Sequence, residues 1–265
     1  MSSVIHNHVQ LSKFLMKPFS HKTTDGRQVF YLDFSDCDIH EGKISILGTK
    51  QEYYYPSTEE FLAKEIESNV GDVFKMFRDI SREKRSFGIS SYEAQGIRNL
   101  FSYSLLRSDL LKSETVKRGV HLQFLPEKDQ TQLILSYSRP ALDFFKDTFP
   151  NIIINESPIT FVIPHNCIYS VETAIGNGIV EFEFWCMPIS PRCCVILVPN
   201  SHRERYLSGG TIASFVVSDE KVVQSFNDRA LTSENTSGRS FIIGDKEELV
   251  RLSSILKELL RTIST

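Results

Sequence analysis

Between residues 119 and 199 the apolar residues gather in short runs: GVHLQFL, QLILSYS, ITFVIP, CIYSVE, IVEFEFWCMPI and CCVILVP. Valine, isoleucine and aromatic side chains dominate these runs, and such residues fit a pleated surface. This block constrains the chain most. A succession of β-type runs needs a sheet, and a sheet with apolar faces needs helices to cover it.

The flanks supply those helices. Leu11, Phe14, Leu15 and Phe19 recur at helical spacing and are closed by Pro18 and the polar stretch SHKTTDG. Asp25-Gly26 signals a turn, RQVFYLDFS reads as a strand with KISILG as its hairpin partner, and EYYYPS reads as a loop. Ser57-Thr58-Glu59-Glu60 has the form of a capping box, followed by a helix with one apolar stripe through Phe61, Leu62, Ile66, Val70, Val73, Phe74 and Phe77. After the basic break SREKRS comes a second helix, SSYEAQGIRNLFSYSLLRSDLL, capped by Ser90 or Ser91. PALDFFKDTF predicts a short helix within the β-rich block. SDEKVVQSFNDRAL predicts a helix capped by Ser218, RSFIIG a strand, and DKEELVRLSSILKELLRTI a final amphipathic helix. The expectation is an α+β fold with a helical N-terminal half, a β-rich centre and C-terminal helices, in a single domain over 1–265.

Charge narrows the partners. The 30 basic and 33 acidic residues leave a formal net charge of -3, so a global basic field for nucleic acid is absent and only a local patch would serve. The five cysteines form no C-x-x-C pair and are odd in number, which points to reduced core thiols rather than a disulfide framework or zinc knuckle. No signal-peptide pattern opens the chain, and no apolar run approaches the ~20 residues that span a bilayer. A soluble cytoplasmic protein without membrane contact is expected. Dinucleotide, phosphate-loop, zincin and nucleophile-elbow motifs are all missing. Gly209-Gly210 lacks the lysine of a phosphate loop and reads as a turn. No histidine pair has i, i+4 spacing, so neither a metal site nor a tightly bound cofactor is expected.

NHVQLSKFLMKPFS resembles the opening of domain-of-unknown-function family 4238, which begins with His-x-x-Pro and an aromatic-aliphatic run. His8 matches, Leu11 stands at the proline, and Phe14, Leu15 and Phe19 match the run. FLAKEIES resembles the family's glutamate-bearing helix through Glu65 or Glu67, and YEAQGIRNLFSYSLL its Gln-x-x-Arg helix through Gln95 and Arg98. FVIPHNCIYSV resembles a Ser/Thr-Asp-Asn-Pro strand-turn: Asn166 matches, while His165 replaces the acid and Cys167 the proline. MPISPRCCVILVP resembles a Pro-x-Ser-Pro strand entry, and VVQSFNDRAL with RSFIIG the closing helix and strand, with Asn227 matching. The resemblance spans most of the chain and makes it a divergent member. It implies a shared fold and a shared polar cluster, but no activity.

Two functional readings stand. In the first, a binding or regulatory module acts through a protein partner or self-association, with the tyrosines of EYYYPS and the C-terminal helix as candidate contacts. In the second, an enzyme carries a phosphate-directed pocket, as a nuclease or nucleotide hydrolase. His8 and Arg98 would be its catalytic residues, the histidine moving a proton and the guanidinium stabilising charge. Gln95, His165, Asn166 and Asn227 would bind substrate. Each residue also has a purely structural reading: His8 bonded to a backbone carbonyl, Arg98 paired with Glu65 or Glu67, Asn166 in a turn, Asn227 holding backbone across the domain. An accessory role in microbial phage defence is a third expectation, by association alone.

Overall fold

The computed structural model describes residues 6–51, 53–79, 86–108, 124–136, 143–175, 179–201, 211–233 and 240–263. Residues 119–123 of the expected strand GVHLQFL, 81–85 of the basic break SREKRS and the Gly209-Gly210 turn lie outside the described residues, while Phe124 and Leu125 are not in a strand and Ser86 already begins one.

A short strand β1 (His6–His8) leads into a single helical turn α1 (Lys13–Met16). Strands β2 (His21–Thr23), β3 (Gly26–Asp33), β4 (Ile39–Lys43) and β5 (Thr49–Gln51) follow. Helix α2 (Pro56–Phe61) runs through a π-helical stretch, Leu62–Glu67, into α3 (Ser68–Asp79). Next come β6 (Ser86–Gly88), α4 (Ser91–Arg107) and α5 (Glu127–Ser136). The strands β7 (Thr148–Asn155), β8 (Ile163–Pro164), β9 (Tyr169–Ile175), β10 (Ile179–Ser190), β11 (Cys193–Pro199) and β12 (Thr211–Val217) fill the centre. Helix α6 (Glu220–Ser233), strand β13 (Phe241–Gly244) and helix α7 (Lys246–Ile263) close the chain.

The strands make a sheet in the order β6-β12-β7-β11-β10-β9, a second sheet β2-β3-β13-β8 with β4 on the other edge of β3, and the pair β1-β5. In the first sheet only β12 and β7 run parallel. Alternation along the strands separates two apolar cores. Ile152, Val195, Leu197, Phe241 and Ile243 join the N-terminal segment and α3 and α4 in one. Their neighbours Ile153, Cys194, Ile196 and Ile242 join Val223, Phe226, Leu249, Leu252 and Leu256 of α6 and α7 in the other.

The fold is α+β, but its first half is not helical in the sense expected: β1 to β5 precede the first long helix. Three local readings also change. QLILSYS lies in α5 as far as Ser136, where Glu127 and Asp129 in the first turn favour a helix start. KISILG is not the hairpin partner of β3. That partner is β4, and Lys43 leads into a turn whose Ile44 is buried. Residues 143–147 of PALDFFKDTF form turns, and Thr148 and Phe149 already belong to β7.

The caps differ as well. Pro56 takes the first position of α2, so Tyr55 is the N-cap and Ser57 lies inside the helix without capping it. The cap expected at Ser90 does form, as a capping box with Glu93. At α6 the cap is Asp219, whose carboxylate accepts from the Lys221 N–H at 2.9 Å. Gly96 faces α3, where a Cβ would make ordinary contact with Val70 Cγ1 at 3.4 Å and with Asn69.

Candidate functional site

The N-terminal segment is strapped down residue by residue. His8 pairs with Thr49 across β1-β5, and the Val9 N–H donates to the Gly48 carbonyl at 3.2 Å. The Tyr54 hydroxyl donates to the Val9 carbonyl at 2.5 Å. The Gln10 carbonyl accepts from the Arg107 guanidinium and from the Cys167 thiol, the latter at 3.3 Å. Arg107 is 6% exposed at its side chain and stands 3.9 Å from Glu67. Burial pushes the Glu67 carboxyl up, while Arg107 and a Ser12 hydrogen bond pull it down.

Between this strap and the second sheet lies a cavity of about 300 Å³. Its floor is one face of the β3-β13 ladder, where Phe241 sits opposite Asp33 and Tyr31 lies two residues along the same face. The Phe241 ring stacks on His165 at 4.3 Å between centroids and meets Tyr31 edge-on at 5.9 Å. Gly48, at φ +65°, forms part of the wall. A Cβ there would stand 3.0 Å from the Phe241 ring and 3.5 Å from His165 Nε2. Lys50 and Glu127 pair at 2.7 Å on the lining. Gln10 also lines the cavity and is 2% exposed. Neither end of its side-chain amide has a hydrogen-bond partner among the described residues. A buried amide left so costs ~1–3 kcal/mol relative to a satisfied one.

The six residues singled out from the sequence do not meet in one site. His8 is half-buried beside the cavity. Its ring bonds the Leu47 backbone, and burial, with Lys13 next, lowers its pKa to about 4. His165 lines the cavity, and the adjoining Asn166 is buried. They belong to a turn in which the Cys167 N–H reaches the Pro164 carbonyl at 2.9 Å. Arg98 lies on another part of α4. Its guanidinium donates to the Thr148 carbonyl at 3.2 Å and to Gln95 Oε1 at 2.8 Å, and Gln95 in turn donates to Asn99 at 2.7 Å. The expected ion pair to Glu67 is made by Arg107, not by Arg98. Asn227 is fully buried under the opposite core. It accepts from the Val162 N–H at 3.1 Å and donates to the Thr160 carbonyl at 2.9 Å and to Glu248 at 2.8 Å, the backbone-holding role open to an inward-facing asparagine.

The surface candidates change too. Tyr53 and Tyr54 are core residues, and of the three tyrosines in EYYYPS Tyr55 alone is exposed, with its hydroxyl on Asp129 at 2.5 Å. The apolar face of α7 is covered, since Leu249, Leu252 and Leu256 are buried. Among the described residues no group of three or more His, Cys, Asp or Glu side chains is placed to hold a metal ion, and no helix is long and apolar enough to cross a membrane. Sequence reasoning missed Gln10, Tyr31, Asp33 and Phe241. Gln10 carried no sequence signal: that Val9 and Leu11 on either side of it are core is visible only in the fold.

Compared with known proteins, the chain matches no family model, no curated sequence and no solved structure, so geometry carries the functional argument.

Proposed function

We propose that this chain is a binding module of regulatory type, in which a small polar ligand enters the Gln10–Phe241 cavity and fixes the N-terminal strap against the sheet. The carrying observation is the cavity itself, about 300 Å³, with polar groups of Asp33, Lys50 and Glu127 and the Tyr31 ring on its lining, between the strap and the second sheet. A ligand seated there binds the folded state only and stabilises it by mass action. The Cys167 thiol of FVIPHNCIYSV touches the Gln10 carbonyl of NHVQLSKFLMKPFS, so two of the segments that resemble family 4238 lie against each other beside the cavity.

The hydrolase reading has less behind it. His8 and Arg98 occupy different places, and the ionisable lining includes Asp33 and Glu127 against Lys50, a poor setting for phosphate. The test is amide hydrogen exchange over residues 8–10 with a panel of small neutral heterocycles, sugars and amino acids. Binding slows exchange in the strap for at least one class. A panel that leaves the strap unchanged throughout removes the reading.

A further inference from the structure

We propose that the cavity takes a small primary amine, with its ammonium on the Asp33 carboxylate and its apolar body against Leu47 and Tyr31. This rests on the binding-module reading and names its ligand class. Three observations carry it. The first is an uncompensated charge. Asp33, Lys50 and Glu127 are the acidic and basic side chains on the lining. Lys50 is already engaged: it pairs with Glu127 at 2.7 Å and lies 4.9 Å over the Tyr53 ring. Asp33 Oδ1 takes the Ser35 N–H at 2.8 Å and the Ser35 hydroxyl at 2.6 Å. Its Oδ2 has no partner among the described residues, and Asp33 is only half-buried, so this oxygen is open where the Gln10 amide is sealed.

The second is the field on that wall. Tyr31 lies two residues before Asp33 on the same face of β3. Burial, then Asp33, then Asp36 push its phenol above the usual range, which marks this wall as negative. The third is the remainder of the lining. Leu47 and the Tyr31 ring are partly exposed apolar surface, and a volume of about 300 Å³ is at the lower end of small-molecule sites, so the body must be small. An alcohol also donates to a carboxylate. An ammonium adds the attraction of a full opposite charge, in a cleft where water screens it less. Carboxylates and phosphates are repelled.

The experiment is calorimetric titration of the full chain with butylamine and benzylamine, each beside the alcohol of the same carbon skeleton, with amide exchange over residues 8–10 measured on the better binder. One amine is expected to bind about tenfold or more tightly than its alcohol and to slow exchange in the strap. Asp33→Asn keeps an oxygen for Ser35 and removes the charge, so the preference for the amine should vanish. Lys50→Met leaves Glu127 without its partner, makes the lining more negative and should tighten the amine but not the alcohol. This second variant decides the matter if Asp33→Asn does not fold. An alcohol that binds as tightly as its amine, a preference that survives Asp33→Asn, or an amine weakened by Lys50→Met overturns the assignment. So does amine binding that leaves the strap unchanged, because the amine then sits elsewhere. If neither amine binds but another compound slows exchange in the strap, this inference falls and the binding-module reading stands. If nothing slows it, both fall.

Discussion

Burial sets the chemistry of His8. Its pKa is lowered to about 4 in the fold from the usual histidine value of 6.5, chiefly because the half-buried ring is costly to charge, with Lys13 and Arg107 adding repulsion. In the window between those values the unfolded chain holds the proton and the folded chain does not. Stability is therefore full above about pH 6.5 and is lost as pH falls towards 4, by on the order of 2 kcal/mol after allowing for partial exposure. Glu67 faces the same strap with the opposite sign: its carboxyl is raised, so its contribution weakens as pH rises above the usual carboxylate range. His8→Asn should flatten the acid limb between pH 6.5 and 4 in urea melts, and an unchanged limb would show that another group titrates there. The sequence marked His8 but not its neighbour Gln10. A glutamine between two apolar residues has no motif, and what singles it out is loss of partners on folding, a tertiary property.

At the scale of elements, α4 holds two arginines with different work. Arg98 precedes Arg107 by nine residues, about 13 Å along the axis. Arg107 is sealed between Glu67 and the Gln10 carbonyl, so Arg107→Ala strands a half-buried carboxylate and a buried carbonyl and should cost about 3 kcal/mol. Arg98→Ala, at a half-buried position bonded to Gln95 and one carbonyl, should cost about 1 kcal/mol. Denaturation midpoints with unchanged slopes would check the pair, and equal losses would contradict it. Element type was legible where a period ran long: α3, α4, α6 and α7 stand on their apolar stripes, and β3, β9, β10 and β11 on their branched and aromatic runs. It was not legible where a short apolar run suits either structure. QLILSYS became helical through its N-terminal acids, and β7 hid behind Pro150, a residue that argues against a strand. The Ser57 box failed because Pro56 starts the helix before it.

Over the whole molecule, every thiol is inside. Cys37, Cys167, Cys186, Cys193 and Cys194 are all buried, and burial raises the Cys37, Cys186 and Cys193 thiols further from reactivity. A soluble disulfide reagent should label none of them in the native protein and all five in denaturant, at a rate set by unfolding. Rapid labelling of any one in buffer would mean that its core opens locally. The division into two cores was readable in outline, because strand alternation sends neighbours to opposite sides. Which helix covers which side was not, since nothing local couples α3 and α4 to Ile152 or α6 and α7 to Ile153. The cavity draws on Val9 and Gln10 from the first strap, Tyr31 and Asp33 from β3, Glu127 from α5, His165 from the turn before β9 and Phe241 from β13. A ribosome must therefore release nearly all of this chain before the cavity exists. The strap's own partners Gly48, Tyr54, Arg107 and Cys167 all come earlier in the chain, so the N-terminal segment can be gripped first, and a ligand must wait for Phe241.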